Sequence, residues 1–166
     1  MRKKFFMLSI LIFIFFTGAS IISAETRVRF LFIGDIMTHQ QQLDAARRKD
    51  GYDFSPQFRR IKPLIEKDFL VGNLETTFSG TERNGKKLKY SGYPTFNTPD
   101  ILADLLKSFD VDLLTLANNH IFDKGPAGAR RTTEILDSAD LTWIGLGLDN
   151  VLSNDAVILD NKGIKA

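Results

Sequence analysis

The 166-residue chain contains no cysteine. That excludes disulfides, thiolate zinc sites, redox dithiols and cysteine nucleophiles. An exported domain of this kind depends on core burial, helped by any metal it binds. A Gly-x-Ser-x-Gly nucleophile elbow and a glycine-rich phosphate loop are also missing. Gly145-Leu146-Gly147 lacks the third glycine of a dinucleotide fingerprint and reads as a tight turn. Nor is there a clustered basic face. The segments RRKD (47–50) and NGKKLKY (84–90) are short and mixed, as solvated faces are. The formal net charge of +2 belongs to the leader, since residues 1–24 hold three of the 22 basic residues and no acid. Nucleic acid is therefore not an expected partner.

What is present begins with that leader. Arg2, Lys3 and Lys4 form a positive start, residues 5–16 are almost purely apolar, and Ile22-Ser23-Ala24 suits cleavage before Glu25. Residues 1–24 are read as a signal peptide. The alternative is an uncleaved anchor over residues 5–22, at the lower limit for spanning a bilayer and interrupted by Thr17-Gly18-Ala19-Ser20. Both readings place residues 25–166 outside the cytoplasmic membrane, in the periplasm or at the cell surface. That length suffices for one domain with a core.

Residues 27–33 (RVRFLFI) read as the first strand, with Gly34 as its exit and Asp35 at its end. Residues 40–49 have helical composition. Ser55-Pro56 opens a helix whose inner face is Phe58, Ile61, Leu64 and Ile65, with a break at Pro63. A short buried strand follows at 68–72, then a long polar connection over 76–98, of a kind that is functional or partly disordered. Within it, residues 86–90 form either a weak hairpin arm or an exposed segment. Thr98-Pro99-Asp100 caps a helix carrying Ile101, Leu102, Leu105 and Leu106. A strand at 111–117, a helix at 125–139, a strand at 141–144 and a hairpin around Asn161-Lys162-Gly163 complete the chain. Strands alternating with helices predict an α/β layered fold with a largely parallel sheet.

Chemistry collects where three strands end. The chain passes from strand into Gly34-Asp35, into Gly72-Asn73-Leu74-Glu75, and into Ala117-Asn118-Asn119-His120 followed by Asp123. Ligands in open α/β sheets gather beyond the carboxyl ends of parallel strands. Carboxylate, amide-oxygen and imidazole donors suit a divalent cation of the Mn, Fe or Zn type, which activates water or polarises a phosphoryl or carbonyl oxygen. Asp35, Asn73, Glu75 and Asn119 are the ligand candidates. His120 serves as ligand or general acid, and Asp123 orients it. Taken singly, each has a plainer reading: Asp35, Asn73 and Asn118 as turn caps, Glu75 as a loop acid, His120 as a hydrogen-bonded surface histidine. His39 follows Asp35 by four residues, a spacing that does not place it in the site.

Three blocks, FIGDIM (32–37), GNLET (72–76) and LANNHIFDKG (116–125), together with GARRTTEIL (128–136) and WIGLG (143–147), resemble the bacterial capsule-synthesis family of the CapA type. That family is associated with poly-γ-glutamate and belongs to the calcineurin-like metallophosphatase superfamily. The resemblance runs from Phe30 to the end. It implies a layered metallophosphatase-like sandwich, with Asp35, Asn73, Glu75, Asn119 and His120 lining the metal region. Met37 stands where the superfamily's Asp-x-His motif has histidine. The family's later histidine-bearing segments have no counterpart before Ala166, so the expectation is an amino-terminal portion truncated at its carboxyl end. The implied function is envelope-exposed capsule biosynthesis by metal-assisted hydrolysis or transfer on an anionic polymer or phosphoester. Implied partners are other polymer synthesis or export proteins at the membrane. The rival expectations are a non-catalytic envelope component for export or anchoring, and an inactive remnant.

Overall fold

Four parallel strands carry the molecule: β1 (Phe30–Ile36), β4 (Phe69–Leu74), β7 (Leu113–Thr115) and β8 (Trp143–Ile144), hydrogen-bonded in the order β1-β4-β7-β8. The computed structural model describes residues 26–147, 156–161 and 163–165. The expected signal peptide lies outside the described residues. Short antiparallel pairs decorate the sheet: β2 (Arg47–Arg48) with β3 (Gly51–Tyr52), β5 (Glu82–Arg83) with β6 (Lys86–Lys87), and β9 (Asp160–Asn161) with β10 (Ile164–Lys165). The helices are α1 (Gln40–Ala46), α2 (Ser55–Phe58), α3 (Ile101–Ser108) and α4 (Gly125–Ser138). The expected α/β class with a mostly parallel sheet is what the chain adopts. Among the described residues, no helix is long and apolar enough to cross a membrane.

Side chains alternate across a strand, and here the alternation divides the sheet into two faces. Leu70 and Leu74 of β4, with Leu114 of β7 and Leu116 just beyond it, join the main core. Opposite them come the stripes of α3 (Leu102, Ala103, Leu106) and α4 (Ala129, Leu136). Each fully buried leucine contributes about 1.5–3 kcal/mol relative to an exposed one. The other face carries Phe30, Phe32, Phe69, Val71 and Leu113, and there Phe32 is 71% exposed.

Local details differ from expectation for identifiable reasons. β1 runs three residues further than its apolar run suggests, through Gly34 and Asp35. Gly34 adopts φ 69°, and the register shifts between Phe32 and Asp35, so the glycine makes a bulge inside the strand rather than its exit. The second helix is one turn, α2, followed by a 3-10 turn at Lys62–Leu64. Pro63 lacks the N–H that would continue an α-helical ladder, and it sits inside the 3-10 turn. Ile61 and Leu64, expected to face the core, are therefore exposed. Ser55 is the first residue of this turn, Phe54 is its N-cap, and Asp53 accepts the Ser55 N–H at 2.9 Å. The helix expected over 40–49 ends at Ala46, where Arg47 turns into β2.

The register delivers the strand ends side by side. Asp35 is opposite Asn73, and Asn73 is opposite Thr115. The Glu75 N–H extends the ladder to the Ile36 carbonyl at 3.0 Å. Residues far apart in sequence thus share one edge.

Candidate metal and acid–base site

Asn73 sits at the centre of that edge. Its Nδ2 donates to Asp35 Oδ1 and to Glu75 Oε2, both at 2.9 Å. Its Oδ1 accepts from Asn118 Nδ2 at 3.0 Å and from the Thr115 hydroxyl at 3.3 Å. Asn118 also donates to the Leu74 carbonyl at 2.9 Å and accepts the His120 backbone N–H at 3.0 Å. One amide on β4 therefore bridges two carboxyl groups on one side and organises the NNH turn on the other.

The Glu75 carboxyl is pushed above its ordinary range by burial first, then by the charge of Asp35 and a hydrogen bond with it. His120 and Asn73 pull the other way. Burial penalises charge, and a second carboxylate compounds the penalty.

His120 is held from behind. Its Nδ1 pairs with Asp123 Oδ2 at 2.8 Å, and the side chains are 14% and 10% exposed. With its Nδ1–H given to that carboxylate, a neutral imidazole would present Nε2 as an acceptor. Nε2 faces Glu75 Oε1 at 3.9 Å. Two electron-rich groups so placed call for a proton or a cation between them. That arrangement, with Asp35 beyond Asn73, fits the donor chemistry of a divalent metal. The fit is of one wall rather than a closed cage. Among the described residues, no three His, Asp or Glu side chains are arranged to enclose an ion.

The long connection over 76–98 is ordered and forms the site's flank. Asn97, fully buried, accepts the Ser79 N–H and donates to the Gly80 and Lys89 carbonyls. Ser91 and Asn97 exchange backbone hydrogen bonds at 2.9 Å. Lys124 reaches Ser91 Oγ, Thr95 Oγ1 and the Thr95 carbonyl, tying the loop to the start of α4. The loop lies so close to α1 that a Cβ at Gly92 would fall 2.6 Å from the Gln40 nitrogen. Phe96, at the loop's end, gives its N–H to Asp123 Oδ2 at 2.6 Å and packs edge-on against the His120 ring.

Five of the six expected residues, Asp35, Asn73, Glu75, His120 and Asp123, are thus brought into one connected cluster. Asn119 lies exposed beside it, outside the network of side-chain hydrogen bonds. Asn73 turns its nitrogen rather than its oxygen to the carboxylates. Asn118 and Phe96 are the members that sequence reasoning missed. The Asn-Asn doublet marked a turn but not which amide would bridge, and an aromatic in an irregular loop carries no periodicity.

The family model for the bacterial capsule synthesis protein PGA_cap matches residues 29–166. Two uncharacterized proteins of Sinorhizobium fredii, y4sH and y4uA, are each 31% identical over 112 residues, covering 63% of this chain and 23% of their own length. The capsule biosynthesis protein CapA of Bacillus anthracis is 27% identical over 123 residues, covering 73% of this chain and 29% of its own length. The chain spans about a quarter of the length of the curated relatives it matches.

Proposed function

The chain belongs to the bacterial capsule synthesis protein family, and from that premise we propose that it is an exported, envelope-exposed component of capsule or poly-γ-glutamate biosynthesis with a metallophosphatase-like site. The carrying observation is the meeting of Asp35, Glu75 and a His120 held at Nδ1 by Asp123, at three neighbouring strand ends. Asp35, Glu75 and His120 Nε2 would supply one wall of a divalent cation's shell. Such an ion supplies charge stabilisation at a phosphoryl or carbonyl oxygen and lowers the pKa of a bound water. The residues themselves position and move protons. Asp123 orients the imidazole through Nδ1, and Asn73 donates to both carboxyl groups. The buried Phe96 closes one side of the imidazole against water. The reaction is hydrolysis or transfer on an anionic polymer or phosphoester, in company with other polymer synthesis or export proteins at the membrane.

The test is metal binding by the full chain in mild detergent. Added Mn²⁺ at a hundred times its dissociation constant should stabilise the chain by about 2.7 kcal/mol. A chain carrying both Asp35→Asn and Glu75→Gln should lose that response. A melting temperature indifferent to Mn²⁺, Zn²⁺ and Fe²⁺ sinks the metal reading.

One observation favours a second reading. The ligands present form a wall and not an enclosure, as suits a non-catalytic component that supports export or anchoring. Under that reading, Asp35→Asn with Glu75→Gln leaves capsule formation intact at normal protein levels.

A further inference from the structure

A cavity of about 270 Å³ lies between β1, α1 and α2, against Leu102 of α3. Ile36, Phe54 and Leu102 are its buried floor, while Ile33 and Ile61 stand exposed at its mouth. A narrower apolar recess of about 80 Å³ shares the Ile33, Phe58 and Ile61 walls.

Polar groups are set into this apolar lining. Thr38 is 4% exposed, and its hydroxyl pairs with that of Thr98, which Thr76 holds in turn at 2.7 Å. A hydroxyl has one hydrogen and two lone pairs, so that bond leaves Thr38 able to serve a further partner. Gln42 accepts the His39 N–H through Oε1 at 2.6 Å. Gln57 donates through Nε2 to the Gln42 carbonyl at 2.9 Å. The unspent ends are the Gln42 amide nitrogen, a donor, and the Gln57 amide oxygen, an acceptor. Asp35 is the one charged residue in the lining, and Asn73 already engages its Oδ1.

This lining discriminates between ligands by charge. An anion meets a carboxylate and no cation, so it is repelled. An ammonium ion has donors for Asp35 and Gln57 but nothing to accept from Gln42, and its charge has to leave water for an apolar sac. A neutral amide carries a donor and an acceptor side by side on a small apolar body, and so answers both glutamines.

We infer that this cavity is a binding site for a small neutral carboxamide. The ligand's carbonyl accepts from Gln42 or Thr38, its N–H donates to Gln57, and its hydrocarbon part lies against Phe58 and Ile61. The site needs no cation and stands apart from the metal reading of the strand ends.

Met37 lines the cavity and reports on it. The other methionines, Met1 and Met7, fall within the leader. The full chain, labelled with ¹³C in its methionine methyl groups, is held in mild detergent with EDTA and titrated with cyclohexanecarboxamide. The Met37 signal, assigned from M37L, should shift and saturate at about millimolar ligand, the range for so small a compound. The indole N–H of Trp143, on the opposite edge of the sheet, should stay in place. Cyclohexanecarboxylate and cyclohexylmethylammonium, of similar size, should bind at least about tenfold more weakly. Q57L removes the acceptor and should weaken the amide about tenfold, roughly one hydrogen bond. I61F, at an exposed position, should fill the sac and abolish the shift. Three outcomes overturn the proposal. An unmoved Met37 means that the cavity does not take the amide. Equal binding of the carboxylate or the amine, or unchanged binding by Q57L, means that the polar groups do not select an amide. A Met37 shift that persists in I61F, or that Trp143 shares, places the compound elsewhere on the molecule.

Discussion

His120 and Asp123 are joined by a 2.8 Å hydrogen bond from Nδ1 to Oδ2, and that same carboxylate oxygen accepts the Phe96 backbone N–H at 2.6 Å. One oxygen therefore orients the imidazole and anchors the end of the long loop. Asp123→Asn keeps the volume but offers an amide that can serve only part of this arrangement. The expected cost is about 1–3 kcal/mol in urea unfolding, because a buried N–H loses its acceptor. Metal affinity should fall by roughly 10–100-fold, since partners behind a ligating histidine set its tautomer and aim. Calorimetry with Zn²⁺ and a urea melt measure the two effects separately. A loss of stability with unchanged metal affinity would leave Asp123 as a loop anchor alone.

Asn73 gives the opposite kind of prediction. Asn73→Asp places a third carboxylate between Asp35 and Glu75, where one amide now donates to both at 2.9 Å. Without metal the variant should be destabilised by about 1–3 kcal/mol through lost donors, with like-charge repulsion added. With Mn²⁺ present the deficit should shrink, because the added carboxylate becomes a ligand. Melting temperatures with and without Mn²⁺ decide it. A deficit that Mn²⁺ leaves untouched argues against a cation between these groups.

The strand ends were legible in the sequence because a run such as 113–117 is apolar until it turns abruptly into Asn118, Asn119 and His120. Pairing follows from the parallel sheet, which is how Asp35 comes opposite Asn73. What the pattern could not show was direction. Nothing in Gly72-Asn73-Leu74-Glu75 says which end of the amide meets the carboxylates. That depends on Asn118 and Thr115 claiming the oxygen from the next strand. The composition of the long loop suits either a functional or a partly disordered segment, and what holds it is Asn97, one amide among many polar residues. Of the helical face expected at Phe58, Ile61, Leu64 and Ile65, Phe58 and Ile65 pack against the core, while Ile61 and Leu64 are exposed, because the helix is one turn followed by a 3-10 turn containing Pro63.

Asn97→Ala should therefore loosen the flank of the site more than any surface change in the same loop. The side chain is fully buried and makes three hydrogen bonds, to the Ser79 N–H and the Gly80 and Lys89 carbonyls. Removing it strands those groups, at a cost of about 2–4 kcal/mol. Brief trypsin treatment should then cut at Arg83, Lys86, Lys87 or Lys89 well before the rest of the domain. Cleavage that matches the unmodified chain would mean that Lys124 and the Ser91–Asn97 backbone pairing hold the loop by themselves.

Arg131 tests whether shape or charge joins the helices to that loop. Its guanidinium grips Asp100 at 2.8 and 2.7 Å, and Nη1 also donates to the Phe78 carbonyl. The Asp100 pair ties α4 to the residue preceding α3, and the Phe78 contact reaches the start of the loop. Hydrogen bonding to Asp100 raises the guanidinium's pKa, so the charge persists at every working pH. Arg131→Lys keeps the charge but cannot make two parallel bonds and reach a third acceptor. Both groups are about a third exposed, so solvent weakens the purely ionic part. The expected loss is about 1–2 kcal/mol, chiefly from the hydrogen bonds. If geometry is what matters, Arg131→Lys and Arg131→Met should melt at similar urea concentrations, and added salt should change both little. If charge is what matters, Arg131→Lys should stay close to the unmodified chain at low salt and converge on Arg131→Met as salt rises.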